Sequence, residues 1–240
     1  MSVGVVWAVW LVVLPPEGVA AWQAGVAARD DAVRARAWFA QAAVQFEQTP
    51  GAALAAGHAW RLAGDLPRAI RAYRRGLAAR PDDPRLQQAL ADARAQARPL
   101  AVPTGPGWLA RHGGATRQPL GWWLVWSLWT LAVLGLARQR MTGAAGWRVG
   151  ALGASAGALT LAVVLGLAAA QAAAYRAEPF AVVAQAGVVL RTGNAQAYPP
   201  VLDAALPPGQ ECRPLVRRGG WCRVELPDGT AGWLPVEALR

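Results

Sequence analysis

The chain has 240 residues, 55% of them hydrophobic and 16% charged, with a mean hydropathy of +0.22. That is too apolar and too sparsely charged for an ordinary soluble domain, so part of the chain is expected in lipid. The net charge of +10 rests on arginine alone, since no lysine is present, and the excess flanks apolar runs or is spread over helices. A phosphate-tracking surface would need one basic stripe with interleaved aromatics, so no nucleic-acid partner is expected. His58 and His112 lie far apart, and Cys212 and Cys222 have no neighbouring ligand types, which leaves too little for a metal site, a histidine-based catalytic cluster or a disulfide framework. Neither a cofactor nor a metal is expected.

In chain order, Ser2 to Leu14 form a short apolar run that ends at ProProGluGlyValAlaAla. It is short for a span and suits a signal-peptide core with small residues near Ala20, although no basic segment precedes it. Residues 1–20 are read as a signal peptide or an N-terminal anchor, with a misassigned start or an ordinary helix as the remaining readings.

Residues 21–98 carry an internal period. Ala35, Phe39 and Ala42 return as Ala69, Tyr73 and Gly76, each 34 residues later. Small residues let two helices cross closely, and an aromatic fills the gap between them. Gly57 and Trp60 are placed on one helix, Gly64 and Asp65 at a turn with Asp65 as N-cap, Pro67 in a first turn and Tyr73 on the next helix, with a further helix at Arg85 to Ala97. On an inner groove of such helices, Leu54, His58 and Arg61 are candidates for peptide binding; the alternative is solvated surface.

Residues 99–117 read as a linker rich in Pro and Gly. Two charge-free runs follow, at 118–137 and 149–175, each long enough to cross about 30 Å of hydrocarbon; the alternative of buried core helices would need a large soluble core. The loop at 138–148 holds Arg138, Arg140 and Arg148 and is expected in the cytoplasm, which puts both flanking domains outside. Gly146, Gly150, Gly153 and Gly157 fall along one face of the second run, where a helix could approach closely: the first run, or a helix of a partner. No ionisable residue lies within either run, so a transporter has nothing to work with.

Residues 181–240 change texture to short β-type runs punctuated by ProProGly, ArgGlyGly and ProAspGly, the pattern of a small barrel. The landmarks ValValLeuArgThrGly, ArgGlyGlyTrpCysArgVal and LeuProAspGlyThrAlaGlyTrpLeuPro closely resemble a bacterial SH3 domain. That resemblance implies Tyr198, Trp221 and Trp233 as candidates for an aromatic ligand groove, each with an alternative as a packing residue, which is the favoured one for Trp233. Cys212 and Cys222 stand at apolar strand positions, as buried thiols or as a disulfide.

The segment from Gly57 to Pro81 resembles a tetratricopeptide repeat. The expected fold class is thus a multidomain membrane protein: an all-α tetratricopeptide-like amino-terminal domain, a two-helix transmembrane hairpin and an all-β SH3-like barrel. This order resembles the E member of the Bat proteins of aerotolerance operons. The resemblance implies a non-catalytic scaffold in the bacterial inner membrane, with repeat and SH3 domains in the periplasm. Its implied partners are the lipid bilayer, von Willebrand factor A domain Bat proteins and a MoxR-type ATPase system. The alternative is a cell-envelope sensor that binds peptidoglycan. An envelope enzyme is not expected, since no paired carboxylates sit beside a plausible nucleophile.

Overall fold

The computed structural model describes residues 14–103, 118–142 and 146–240. The chain packs as two units, one comprising Met1–Gly76, Gln88–Val102 and Phe180–Arg240, the other Leu77–Gln87 and Pro103–Pro179.

The amino-terminal part is all helical. Helix α1 (Pro16–Ala27) starts on a proline, whose missing N–H is harmless in a first turn. It buries Gly18, Ala21 and Gly25; a Cβ on Gly18 would lie 2.7 Å from Phe46 Cε1, and one on Gly25 would lie 2.8 Å from Phe39 Cε1. Its small-residue stripe therefore lets two phenylalanines of α2 (Ala32–Glu47) reach the α1 backbone. Asp31 caps α2 by accepting from the Val33 and Arg34 N–H groups at 3.1 Å. Helix α3 (Ala53–Ala63) ends on Gly64, whose φ of +86° is open to glycine without strain. Asp65 then accepts from the Arg68 N–H at 3.0 Å and starts α4 (Leu66–Ala79). Asp83 does the same for α5 (Pro84–Ala97) through the Arg85 N–H.

The carboxy-terminal part is an open antiparallel sheet in the order β1 (Ala181–Val182), β2 (Glu211–Arg218), β3 (Trp221–Glu225) and β4 (Ala231–Pro235). Alternation along β3 and β4 sends Cys222, Val224 and Leu234 into a core shared with Val183, Leu190, Leu206 and Cys212. Both thiols are free and buried. Gln210 and Glu211 tie this sheet to the helices of the same unit. The Gln210 side chain accepts from the Leu100 N–H at 2.8 Å and donates to the Ala101 carbonyl at 2.9 Å, while Glu211 takes a two-pronged contact from Arg94 at 2.6 and 3.1 Å.

In the second unit α6 (Gln118–Thr142) and α7 (Gly146–Ala177) run antiparallel. Their facing residues recur in heptads: Gly121, Val125, Leu128, Ala132 and Gly135 on α6 are shielded, as are Ala151, Ala158, Leu165, Ala168, Ala172 and Tyr175 on α7. Helix α7 holds a stretch, Ala151–Ala177, that is long and apolar enough to cross a membrane.

The fold class expected from the sequence does not hold. Among the described residues α7 is the one helix with the length and hydropathy of a span, so the two-helix transmembrane hairpin falls. In α6, Trp122, Trp123, Trp126 and Trp129 together with Gln118, Ser127 and Thr130 keep a charge-free run from being a strongly hydropathic one; freedom from charge was the wrong measure. The SH3-like barrel falls as well. Strand β1 is two residues long, and between Val183 and Leu206 the chain makes only isolated bridges, at Val183, Val188, Arg191, Pro200 and Leu206. Pro199 and Pro200 within that stretch, and Pro207 and Pro208 just after it, have no N–H to donate to a ladder. Boundaries move too: α6 and α7 extend into the expected 138–148 loop, up to Thr142 and from Gly146. A cleavage near Ala20 would cut within α1. The apolar run at 1–13 and most of the 99–117 linker lie outside the described residues.

Candidate functional site

The first three helices leave a groove of about 330 Å³ between them, lined by Val19 and Trp22 of α1, Phe46 of α2, Leu54, Ala55 and His58 of α3, and by Leu14. Helical spacing explains the assembly. His58 lies one turn after Leu54 and Ala55 on α3, and Trp22 is held by an edge-on contact with Phe39, ring centres 5.3 Å apart.

At the polar end of the groove, His58 Nδ1 and the Tyr73 hydroxyl are joined at 3.2 Å, with the rings edge-on at 5.7 Å. Tyr73 is fully buried, and burial pushes its phenol up to about 12. His58 is half-buried, and burial, helped by the nearby Arg61 charge, holds its imidazole below the usual histidine value. Both groups are therefore neutral at pH 7, and the groove offers an apolar wall with one neutral hydrogen-bonding ring at its edge. That chemistry suits holding an apolar segment. Among the described residues no group of three or more His, Cys, Asp or Glu is placed to hold a metal ion.

Of the residues singled out from the sequence, Leu54 and His58 come together in this groove, whereas Arg61 does not line it and acts on His58 only through its charge. Trp221 and Trp233 project from the same, half-exposed face of β3 and β4, with Trp233 opposite Arg223 in the ladder. Tyr198 sits apart, in the bridging segment; its ring covers Gly193, and its carbonyl accepts from Arg191 Nη1 at 2.7 Å. Of the glycine stripe, Gly153 and Gly157 are not where the two long helices meet closely. A Cβ on Gly153 would find nothing within 4 Å, and one on Gly157 only Leu128 Cδ1 at 3.9 Å. The close approach is at Gly121, where a Cβ would lie 2.9 Å from Leu165 Cδ1. The surroundings of Gly146 and Gly150 fall outside the described side chains.

Sequence reasoning missed Val19, because residues 1–20 were read as a signal peptide or an N-terminal anchor, and it missed Trp22 and Phe46 within residues 21–98; the Gly18, Ala21, Gly25 stripe facing the α2 aromatics was the available signal. No protein-family model, curated protein or solved structure matches the chain.

Proposed function

We propose that the chain is a non-catalytic membrane adaptor that receives an apolar segment of another envelope protein in the groove between α1, α2 and α3. The observation that carries this is the groove itself: a wall of Leu, Val, Trp, Phe and Ala broken only by a neutral histidine, a surface for burying apolar side chains rather than for moving charge. Helix α7 supplies an anchor. The setting proposed is a bacterial inner membrane with the folded parts on the periplasmic face, and the partners are von Willebrand factor A domain proteins of the Bat type, working with a MoxR-type ATPase.

Photocrosslinking tests it. With a photoreactive residue at Leu54 in the full chain, in native membranes, the expected product is a crosslink to a von Willebrand factor A domain membrane protein, identified by mass spectrometry and absent when Trp22 is changed to Asp. Crosslinks only to this chain's own residues 1–13 would make the groove part of an internal core and remove the adaptor reading. Retention on purified peptidoglycan, abolished by Trp221→Ala with the groove intact, would favour the sensor instead.

A further inference from the structure

A second concavity lies in the first unit, and its chemistry is the reverse of the groove's. It measures about 280 Å³ and is lined by Arg71 and Arg75 of α4, Arg217 of β2 and Arg240, with Phe180 and Leu239 among its apolar walls. No carboxylate side chain lines it, and none of the four arginines makes a salt bridge among the described residues. Their neighbour Arg74 differs, being buried and engaged by Glu211 at 3.4 Å. Four converging guanidinium groups repel one another unless an anion is shared between them. Consistent with that, Arg71 is held below the usual arginine value, first by burial and then by Arg75.

Position along the chain narrows the anion. Phe180 and Ala181 line the cleft, and Ala177 is the last residue of α7, so the wall of the cleft is tethered to the end of the apolar, membrane-anchoring helix by about 10 Å of chain at most. The headgroup layer is only about 5–8 Å thick on each side of the hydrocarbon. Phe180 itself, stacked beneath Arg74 at 4.8 Å, is the kind of aromatic that sits at the level of the headgroups.

We propose that the cleft of Arg71, Arg75, Arg217 and Arg240 binds the phosphate of an anionic phospholipid headgroup. Guanidinium groups suit this, because each can present two parallel N–H donors to phosphate oxygens. Free inorganic phosphate shares the recognised group, and the test separates the two sources.

The full chain, delipidated in neutral detergent, is titrated with a short-chain fluorescent phosphatidylglycerol, with the matching phosphatidylcholine, and with inorganic phosphate as competitor. Phosphatidylglycerol is expected to bind tighter than phosphatidylcholine. In Arg75→Gln/Arg217→Gln, which changes two exposed side chains and leaves the buried pair of Arg74 and Glu211 in place, its affinity should drop roughly 30-fold. Equal binding of the two lipids, or binding of phosphatidylglycerol that the double variant leaves unchanged, overturns the proposal. Inorganic phosphate that binds as tightly as phosphatidylglycerol overturns the lipid assignment. Arg223→Gln, on the outer face of β3, controls for loss of charge alone and is expected to leave lipid binding unchanged.

Discussion

Arg74 on α4 and Glu211 on β2 face each other with both side chains 4% exposed, Nε to Oε2 at 3.4 Å, and Arg94 on α5 closes on the same carboxylate at 2.6 Å. Helices and sheet of the first unit are thus joined through one buried acid flanked by two cations. The acid is satisfied from both sides, which is the condition under which a buried carboxylate is tolerated. Removing it takes this ion pair from buried Arg74 and the two-pronged contact from Arg94. Glu211→Gln, which keeps the shape and removes the charge, should destabilise the unit by about 3–5 kcal/mol. Urea unfolding of the full chain in detergent should show this as a lower midpoint, with earlier proteolytic release of the sheet. An unchanged midpoint would mean that the joint is held by the Gln210 hydrogen bonds instead.

Gly57 of α3 lies flat against the Tyr73 ring of α4, so close that a Cβ there would overlap Tyr73 Cε1. Gly57→Ala would gain about 1 kcal/mol of helix propensity, but overpacking a full core costs about 1–3 kcal/mol, and fully buried Tyr73 cannot swing away. The clash should win, with thermal unfolding shifted down and the hydrogen bond between Tyr73 and His58 disturbed. The same logic relocates the contact between the long helices. Gly121→Leu should lower the yield of folded protein, and Gly153→Leu should not, because only the first meets a neighbour. The opposite ranking would mean that the glycine stripe packs against something outside this chain.

Local signals were legible in the sequence, and long-range pairing was not. Asp65 as a cap, Gly64 as a turn, the helix near Arg85 to Ala97, and a small residue under an aromatic at Gly57 and Tyr73 each depend on residues a few turns apart, where spacing alone decides geometry. The junction of Glu211 with Arg74 and Arg94 spans more than a hundred residues, and no periodicity points to it. Barrel closure was misjudged for a related reason. Turn motifs such as ProAspGly mark hairpins, and the meander from β2 to β4 formed, but residues 183–206 meet their neighbours only at isolated bridges, and Pro199 and Pro200 interrupt the ladder where Arg191 meets Pro200. Gly153 and Gly157 misled because spacing on one helix does not say which face meets a neighbour; the alanine and leucine heptad of α7 carried that information.

Alkaline and acid limits follow from Tyr73 and His58. Tyr73 is pushed up to about 12 by burial, against about 10 in the unfolded chain. The folded state keeps its proton longer, so this contribution is complete below pH 10 and is lost as pH rises towards 12. His58 is held below its ordinary value by burial and Arg61; the unfolded chain takes up that proton first on acidification, so its contribution is present above about pH 6.5 and declines below it. Chemical unfolding across pH should show both slopes. Tyr73→Phe should flatten the alkaline one, and His58→Gln the acid one. An alkaline slope that survives Tyr73→Phe unaltered would assign it to another group.

Cys212 is buried, and burial, then Cys222, then Glu211 push its thiol up to about 12. The thiolate is the reactive form, so at pH 8 the folded protein presents almost none of it. Iodoacetamide should label Cys212 only after denaturation and with no prior reduction. Labelling that requires a reductant would show that the two thiols are joined, and rapid labelling of native protein would show that the β core opens.

The same buried joint makes a topological prediction. Residues 74 and 94 precede α6 and α7, and residue 211 follows them, yet their side chains are within hydrogen-bonding distance. An ion pair cannot form across a bilayer, so a lone crossing by α7 is incompatible with this joint, and the stretch between residues 103 and 179 must end on the side where it began. Arg98 and Asp203 are exposed and lie on either side of that stretch, and neither takes part in the joint. With Cys212 and Cys222 replaced by Ser, single cysteines at 98 and 203 should therefore react with a membrane-impermeant maleimide from the same face of intact vesicles. Inverting the vesicles should silence both together. For the periplasmic setting proposed above, that face is the outer one in spheroplasts; labelling of both from the inner face would reverse the orientation and leave the joint intact. Labelling of the two from opposite faces would mean that Glu211 does not reach Arg74 or Arg94 in the membrane, and the stability loss expected for Glu211→Gln would have to vanish with it.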